Sequence, residues 1–381
     1  MTAMHRILVL NIGSTSTKLA YCEDEKAIAK ANIEHPASET NAFPSFMDQD
    51  RYRIGYINRF MEEHDIQLDN LDAIVSRGGH TKPLVGGVYK VVPEMLEQQA
   101  SGLYGSHPCD LGSKIAFALS RECRAIPLIV DPPITDEFEP VARLSGHPLI
   151  NRRSSFHALS HKATAKRYAR ENGLRYEDLN LIVVHLGGGI SVAPHQKGRM
   201  VDGDNGLEGD GPFSTNRTGA LPVGDLARLC FSGKYTYQQV HKMLNGQGGL
   251  YAYLGESDVR TVTKNAETDE KSRLCLDAMI YQTCKAIGAQ AAVLKGQVDA
   301  ILITGGIAYN EGIVEQIRQM CGFIAPITVY PGENEMESLA RGALEGLRDA
   351  SAIKDFLTCA RQGEEAENRY RFPFPSDQHA G

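Results

Sequence analysis

"LVLNIGSTSTKLA", residues 8–20, runs from an apolar stretch into Asn11, turns through Gly13, Ser14, Thr15 and Ser16, and passes Lys18 into apolar Leu19 and Ala20. A Walker A loop needs a glycine directly before the lysine and a helix after it. Here Lys18 follows Thr17, and Leu19-Ala20-Tyr21 continues as a second strand. The spacing predicts a β-hairpin, its tip offering N–H groups and hydroxyls either to a phosphate or to solvent. The stretch is answered by "IVVHLGGGISVAP" at 182–194. Each has an apolar strand, a polar residue near its end (Asn11, His185), a glycine turn and an apolar return. The two lie about 175 residues apart, roughly one domain. A duplicated fold with one phosphate-facing hairpin per half produces this echo, and so do two unrelated hairpins.

Outward from the hairpins, β-branched runs at 6–11, 72–76, 126–130, 181–186 and 298–304 alternate with helical patterns, which predicts an α/β architecture. Helices are expected over 157–172, stopped by Asn172-Gly173, and over 272–295, where Leu276, Ile280, Cys284, Ile287, Ala291 and Leu294 form a core-facing stripe. A third glycine turn, "ITGGIAYN" (303–310), follows a strand and precedes a helix, a place suited to an anion or nucleotide. At 381 residues, two domains are expected.

A formal charge of −7 without a long basic run argues against nucleic acid as partner. No apolar run reaches membrane-spanning length, and strand-like sequence from residue 6 leaves no room for a signal peptide. Eight scattered cysteines without a Cys-x-x-Cys pair fit reduced thiols in a cytoplasmic protein.

Four further places carry chemistry-bearing residues. Arg77 follows a strand beside a Gly pair, and Arg217 lies in a Ser/Thr/Gly loop. Both suit bidentate binding of carboxylate or phosphate, although surface ion pairs are the commoner fate of arginine. Asp131 ends a strand before two prolines, as a turn residue or as a metal-side carboxylate. His157 and His161, four apart at a helix start, share a face, but no nearby cluster completes a zinc site.

Taken together, "NIGSTSTK", "SRGG", "YGSHPCDLG", "DPPITDEF", "FHALSHKA", "HLGGGISV", "TNRTGALPVGDL", "ITGGIAYN" and "NEMESLARGAL" resemble, in order, the acetate/butyrate kinase family of the actin–Hsp70–sugar kinase superfamily. "STSTK", "DPP" and "RTGALP" lean towards its butyrate-using members. The resemblance implies a duplicated actin-like ATPase (ribonuclease H-like) fold with an active-site cleft between two domains. One would be 1–152 plus 340–381 with a returning C-terminal helix, the other a nucleotide-binding domain, 153–339. It implies ATP-dependent, reversible phosphorylation of a short-chain carboxylic acid, most of all butyrate or isobutyrate, with Mg²⁺ and a homodimer or larger assembly. Acetate or propionate kinase is the alternative within the class; a phosphatase or an ATP-driven binding protein lies outside it.

By the same resemblance Arg77, Asp131, His157 and Arg217 are catalytic. Asn11 and the turn Ser14, Thr15, Ser16 and Lys18 would face phosphate, with His185 and Gly187, Gly188 and Gly189. Gly305, Gly306, Ile307 and Asn310 would lie along the adenosine. Asn11 and Glu335 would hold Mg²⁺, with Glu337 a close competitor for the second place. Gly79, Ser106, His107 and Phe156 would line the acyl pocket, and the small Gly79 and Ser106 would leave room for a longer acid. Ile12 stands where the family shows a smaller residue or proline, and the polar end from Ala360 onward is expected to be disordered or docked on the surface.

Overall fold

The computed structural model describes residues 4–207, 209–332 and 334–369. Its described residues divide into two compact units, 4–136 with 334–369, and 137–332. The sequence places these divisions after 152 and 339. The earlier break has a local reason: Glu137 accepts from Lys162 Nζ (2.8 Å) and from the Met200 amide, and Glu139 N donates to Val201 O. The later one follows from the helix Glu335–Arg348, a single element that packs with the first unit.

In the first unit a seven-stranded sheet runs Ile353–Lys354, Val88–Lys90, Ile126–Val130, Ala73–Ser76, Arg6–Ile12, Ser16–Glu23, Lys26–Glu34. The last three strands are antiparallel, and Arg6–Ile12 pairs in parallel with Ala73–Ser76. In the second unit the order is Arg199–Met200, Ile190–Gln196, Asn180–Leu186, Ala300–Gly305, Ile327–Pro331. Again an antiparallel hairpin leads into parallel strands. The two 13-residue stretches therefore occupy equivalent places in two sheets of like topology, and the echo is a duplication.

Alternation along each strand decides which side chain reaches which layer. In the first hairpin Leu8, Leu10 and Ile12 enter one core with Ile57, Leu111 and Ile115. Ile12 is only 2% exposed, so its bulk serves packing beneath the turn. Asn11 lies on the opposite face, beside the helix Glu335–Arg348. In the second hairpin Ile182, Val184 and Leu186 join Ile190 and Val192 in a core with the helix Glu270–Val293. His185, Ser191 and His195 share the other face with the helix Ala158–Glu171.

The helix Phe356–Arg369 covers the start of the polar C-terminal stretch. It buries Phe356 and Ala360, and Lys82 donates to Glu364 (2.6 Å). That part is docked; residues 370–381 lie outside the described ones. Among the described residues no helix is long and apolar enough to cross a membrane.

Candidate functional site

The first unit builds its chemistry around the turn of the first hairpin. Gly13 N donates to Ser16 O (2.9 Å), closing the turn, and Ser14, Thr15 and Lys18 are exposed. Beneath it lies Arg53, a fully buried guanidinium that sequence reasoning missed. It donates to the carbonyls of Gly13 (3.3 Å), Ser14 (3.3 Å) and Ser16 (3.0 Å), to Thr17 Oγ1 (2.8 Å) and to Gln49 Oε1. A trans peptide directs its C=O and the next N–H oppositely. Holding the Gly13 and Ser14 carbonyls inward thus turns the Ser14 and Thr15 amides outward, as an anion nest requires. His35 Nε2 also bonds Thr17 Oγ1 (2.8 Å), and burial followed by the Arg53 charge pulls the His35 pKa down.

Asn11, Arg77 and Glu335 come together. Asn11 Nδ2 donates to Glu335 Oε2, and Arg77 Nη1 lies 3.6 Å from Glu335 Oε1. Glu337 pairs instead with Lys30, which resolves the choice between the two glutamates as Asn11's neighbour. The Asn11 amide oxygen and a carboxylate are hard donors of the kind Mg²⁺ takes, with phosphate and water completing its shell. Asp131 is buried in a left-handed conformation (φ 40°), its Oδ1 accepting from Gly87 N at 2.7 Å. At least one of its oxygens thus braces the turn.

Gly79 is small for a different reason from the one expected. A Cβ there would lie 2.0 Å from Asp110 Oδ1 and 2.7 Å from its Cα, so the space beside Gly79 is filled. Asp110 in turn accepts from His80 N (2.8 Å) and His107 N (2.9 Å). Ser106 and His107 are exposed, whereas Phe156, in the second unit, is buried against Phe138 and His161. The described residues hold one group with the donor types of a metal site, His80, Cys109 and Asp110. Burial pushes the Cys109 thiol up to about 12, and the Asp110 carboxylate is engaged with His80.

In the second unit His157 immediately precedes the helix Ala158–Glu171, its side chain making no capping bond. Its ring stacks on His185 (3.9 Å between centroids), which bonds Ser160 Oγ (2.9 Å). Ser191 Oγ lies 2.9 Å from both His157 Nδ1 and His161 Nε2, so the two histidines share a serine. Arg217 Nη1 donates to Gly206 O (2.6 Å). The guanidinium lies against Gly189, where a Cβ would stand 2.0 Å from Nη1. Gly188, exposed, has its carbonyl held by Ser214 Oγ (2.7 Å) and Thr215 Oγ1. The triplet therefore accommodates an arginine as well as forming a turn.

At the third glycine turn, Gly305 has φ 95° and packs on the Leu186 backbone, while Gly306 is exposed. The Ile307 side chain belongs to the core, and Asn310 caps the helix Glu311–Cys321 through Oδ1 while Nδ2 reaches Thr263. Their side chains are committed to structure, which leaves the backbone here for any ligand.

This duplicated α/β fold is that of actin-like phosphotransferases. It matches Porphyromonas gingivalis acetate kinase with a TM-score of 0.75 at 18% identity, covering 91% of this chain and 100% of that one. A propionate kinase from Francisella tularensis subsp. tularensis gives 0.70 at 20% identity, covering 89% and 99%. The chain belongs to the acetokinase family, whose model matches residues 143–334. It is 46% identical over 354 residues to Butyrate kinase 1 of Clostridium acetobutylicum, covering 93% of this chain and all of that one.

Proposed function

We propose that this chain transfers the γ-phosphoryl group of ATP to the carboxylate of a short-chain acid, butyrate before others, giving an acyl phosphate and ADP. The observation that carries the reading is the 46% identity to Butyrate kinase 1 over that protein's whole length. The chemistry explains the residue set. A carboxylic acid with a pKa of about 4.3 is ionised at neutral pH, so the nucleophile needs no general base. The difficulty is the approach of one anion to another, and positive charge and donors around the phosphoryl oxygens lower it.

Arg77 and Arg217 are assigned to the carboxylate and the phosphoryl group in flight, His157 to a phosphoryl oxygen. The amides turned outward over Arg53, with Ser14, Thr15, Ser16 and Lys18, are assigned to phosphate. Gly187, Gly188, Gly305 and Gly306 bring the second unit's backbone to the nucleotide, with His185 stacked behind His157. Asn11 and Glu335 would hold Mg²⁺, which supplies charge neutralisation on the phosphates when bound. Asp131 shapes the end of its strand through its bond to Gly87.

Reversibility follows from the high transfer potential of an acyl phosphate. All eight cysteines are free thiols, which supports work in a reducing cytoplasm. The segment from Leu221 to Tyr237 supports self-association. None of its helix Val223–Cys230 is buried, and Val223, Phe231 and Tyr237 are 81%, 91% and 77% exposed. Light scattering should give more than one chain per particle, and Phe231→Asp should lower that number.

The test of the reaction is acid-dependent ADP formation with acids of two to five carbons. Butyrate or isobutyrate should have the highest kcat/KM, each buried methylene contributing about 0.8 kcal/mol. A preference for acetate overturns the choice of acid, and ADP formation independent of any acid overturns the kinase reading.

A further inference from the structure

A neutral imidazole can donate from one nitrogen only, so a histidine facing a phosphoryl oxygen works only in one tautomer. His157 has its Nδ1 on Ser191 Oγ, which leaves Nε2 as its other ring nitrogen. Ser191 is wholly buried and carries a single hydroxyl proton between two imidazoles, His157 Nδ1 and His161 Nε2, each at 2.9 Å. It donates to one and accepts from the other. The two histidine tautomers are therefore coupled.

His161 decides the direction. It is wholly buried, and its Nδ1 has no hydrogen-bond partner among the described residues. A buried unpartnered N–H is rarer in proteins than an unpartnered acceptor. With its proton on Nε2, His161 donates to Ser191 and leaves only a lone pair unpartnered at Nδ1. With its proton on Nδ1, it would bury an unpaired donor. Burial, and then the nearby His185, pull the His161 pKa down to about 3, so the ring stays neutral with one proton to place.

The neighbouring ring is read by the same rule. His195, also wholly buried, stacks parallel to His161 with centroids 5.7 Å apart, and its Nδ1 lies 2.7 Å from the Tyr176 hydroxyl. By the same rule its proton lies on Nδ1 and is donated to the hydroxyl oxygen, so that His195 too leaves only a lone pair at its unpartnered Nε2.

We infer that Ser191 and His161 are positioning residues: His161 Nε2–H donates to Ser191 Oγ, Ser191 O–H donates to His157 Nδ1, and His157 is thereby held as the Nε2–H tautomer. His157 then presents a neutral N–H donor, already oriented, to the oxygen of the group being transferred. No proton changes owner in the reaction. This assignment rests on the proposed role of His157 at the phosphoryl group, but the tautomer itself does not.

Long-range ¹H–¹⁵N correlation spectra of the full chain, labelled with ¹⁵N-histidine, read the tautomer directly, and loss of signals in His157→Gln assigns the ring. His157 should be protonated at Nε2 and bare at Nδ1 without any substrate. Ser191→Ala should mix the two tautomers and lower kcat at least about tenfold, while KM for nucleotide and acid stays within about twofold. Ser191→Thr, which keeps the hydroxyl, should restore both readouts. A wild-type His157 protonated at Nδ1 overturns the inference even if no variant folds. So does a Ser191→Ala spectrum unchanged from wild type. If no acid is phosphorylated while His157 is the Nε2–H tautomer, the proposed reaction falls and the tautomer assignment stands.

Discussion

At the scale of single residues, Arg53 gathers more of the turn at residues 13–17 than any residue within the turn itself. Its planar fork meets three carbonyls and two side chains at once, a geometry that a lysine ammonium cannot reproduce. Arg53→Lys is therefore expected to raise KM for ATP about tenfold, near 1.4 kcal/mol, while KM for the acid changes little. Steady-state kinetics with each substrate varied in turn check this; equal effects on both would remove the assigned link to phosphate. Gly189→Ala should displace the Arg217 guanidinium, because its Cβ would lie 2.0 Å from Nη1. Its kinetic loss should approach that of Arg217→Ala, with little change in unfolding temperature. Arg77, Arg217 and His157 were legible as candidates because they stand in loops at strand and helix ends, where binding residues concentrate. Arg53 was not. It stands in an ordinary amphipathic helix, and its partners in the turn lie 36 to 40 residues away. Gly79 was misread for the complementary reason: a small residue signals close approach without saying that Asp110 is what approaches.

At the scale of elements, strand alternation sorts core from chemistry in both hairpins. Once the strands are located, period two puts Ile12 with Leu8 and Leu10, and Ser191 with His195. The first strand of each hairpin was legible as an apolar run. The partner of Ser191 was not, because it comes from a helix that only folding brings across the face. Asp204, in the loop leading to the Gly206 carbonyl that holds Arg217, gives a test of a buried charge. Burial, then the Asp210 carboxylate, push its pKa up to about 7, and its Oδ2 has no partner among the described residues. Between about pH 4 and 7 the native state therefore keeps a proton that the unfolded chain releases. Stability falls as pH rises through that window, by about 1.4 kcal/mol for each tenfold difference in proton affinity. Asp204→Asn removes the titration. Its stability relative to wild type, from urea unfolding, should be least favourable near pH 4 and improve by a few kcal/mol by pH 8. A difference independent of pH would mean that Asp204 is ionised in the native state.

At the scale of the whole molecule, the duplication was visible as an echo between 8–20 and 182–194, and the sheet orders of the two units bear it out. The unit boundaries were less legible. Only Glu137 and Phe138 of residues 137–152 belong to a motif, and the segment's ties to the second unit run through Glu137, Glu139 and Arg152 side chains and amides. The proposal gives each unit one arginine in the same reaction. Arg77→Ala and Arg217→Ala should each cost about 2–4 kcal/mol in kcat/KM, and the double variant should lose less than their sum, as for residues that act together. Strict additivity would mean that the two act on separate events. The central claim is that phosphate leaves ATP for a carboxylate, and trapping the product with hydroxylamine tests it most directly. With ATP, Mg²⁺ and butyrate, the wild-type chain should yield one butyryl hydroxamate for each ADP formed, and Arg77→Ala almost none. ADP and free phosphate without hydroxamate would contradict it.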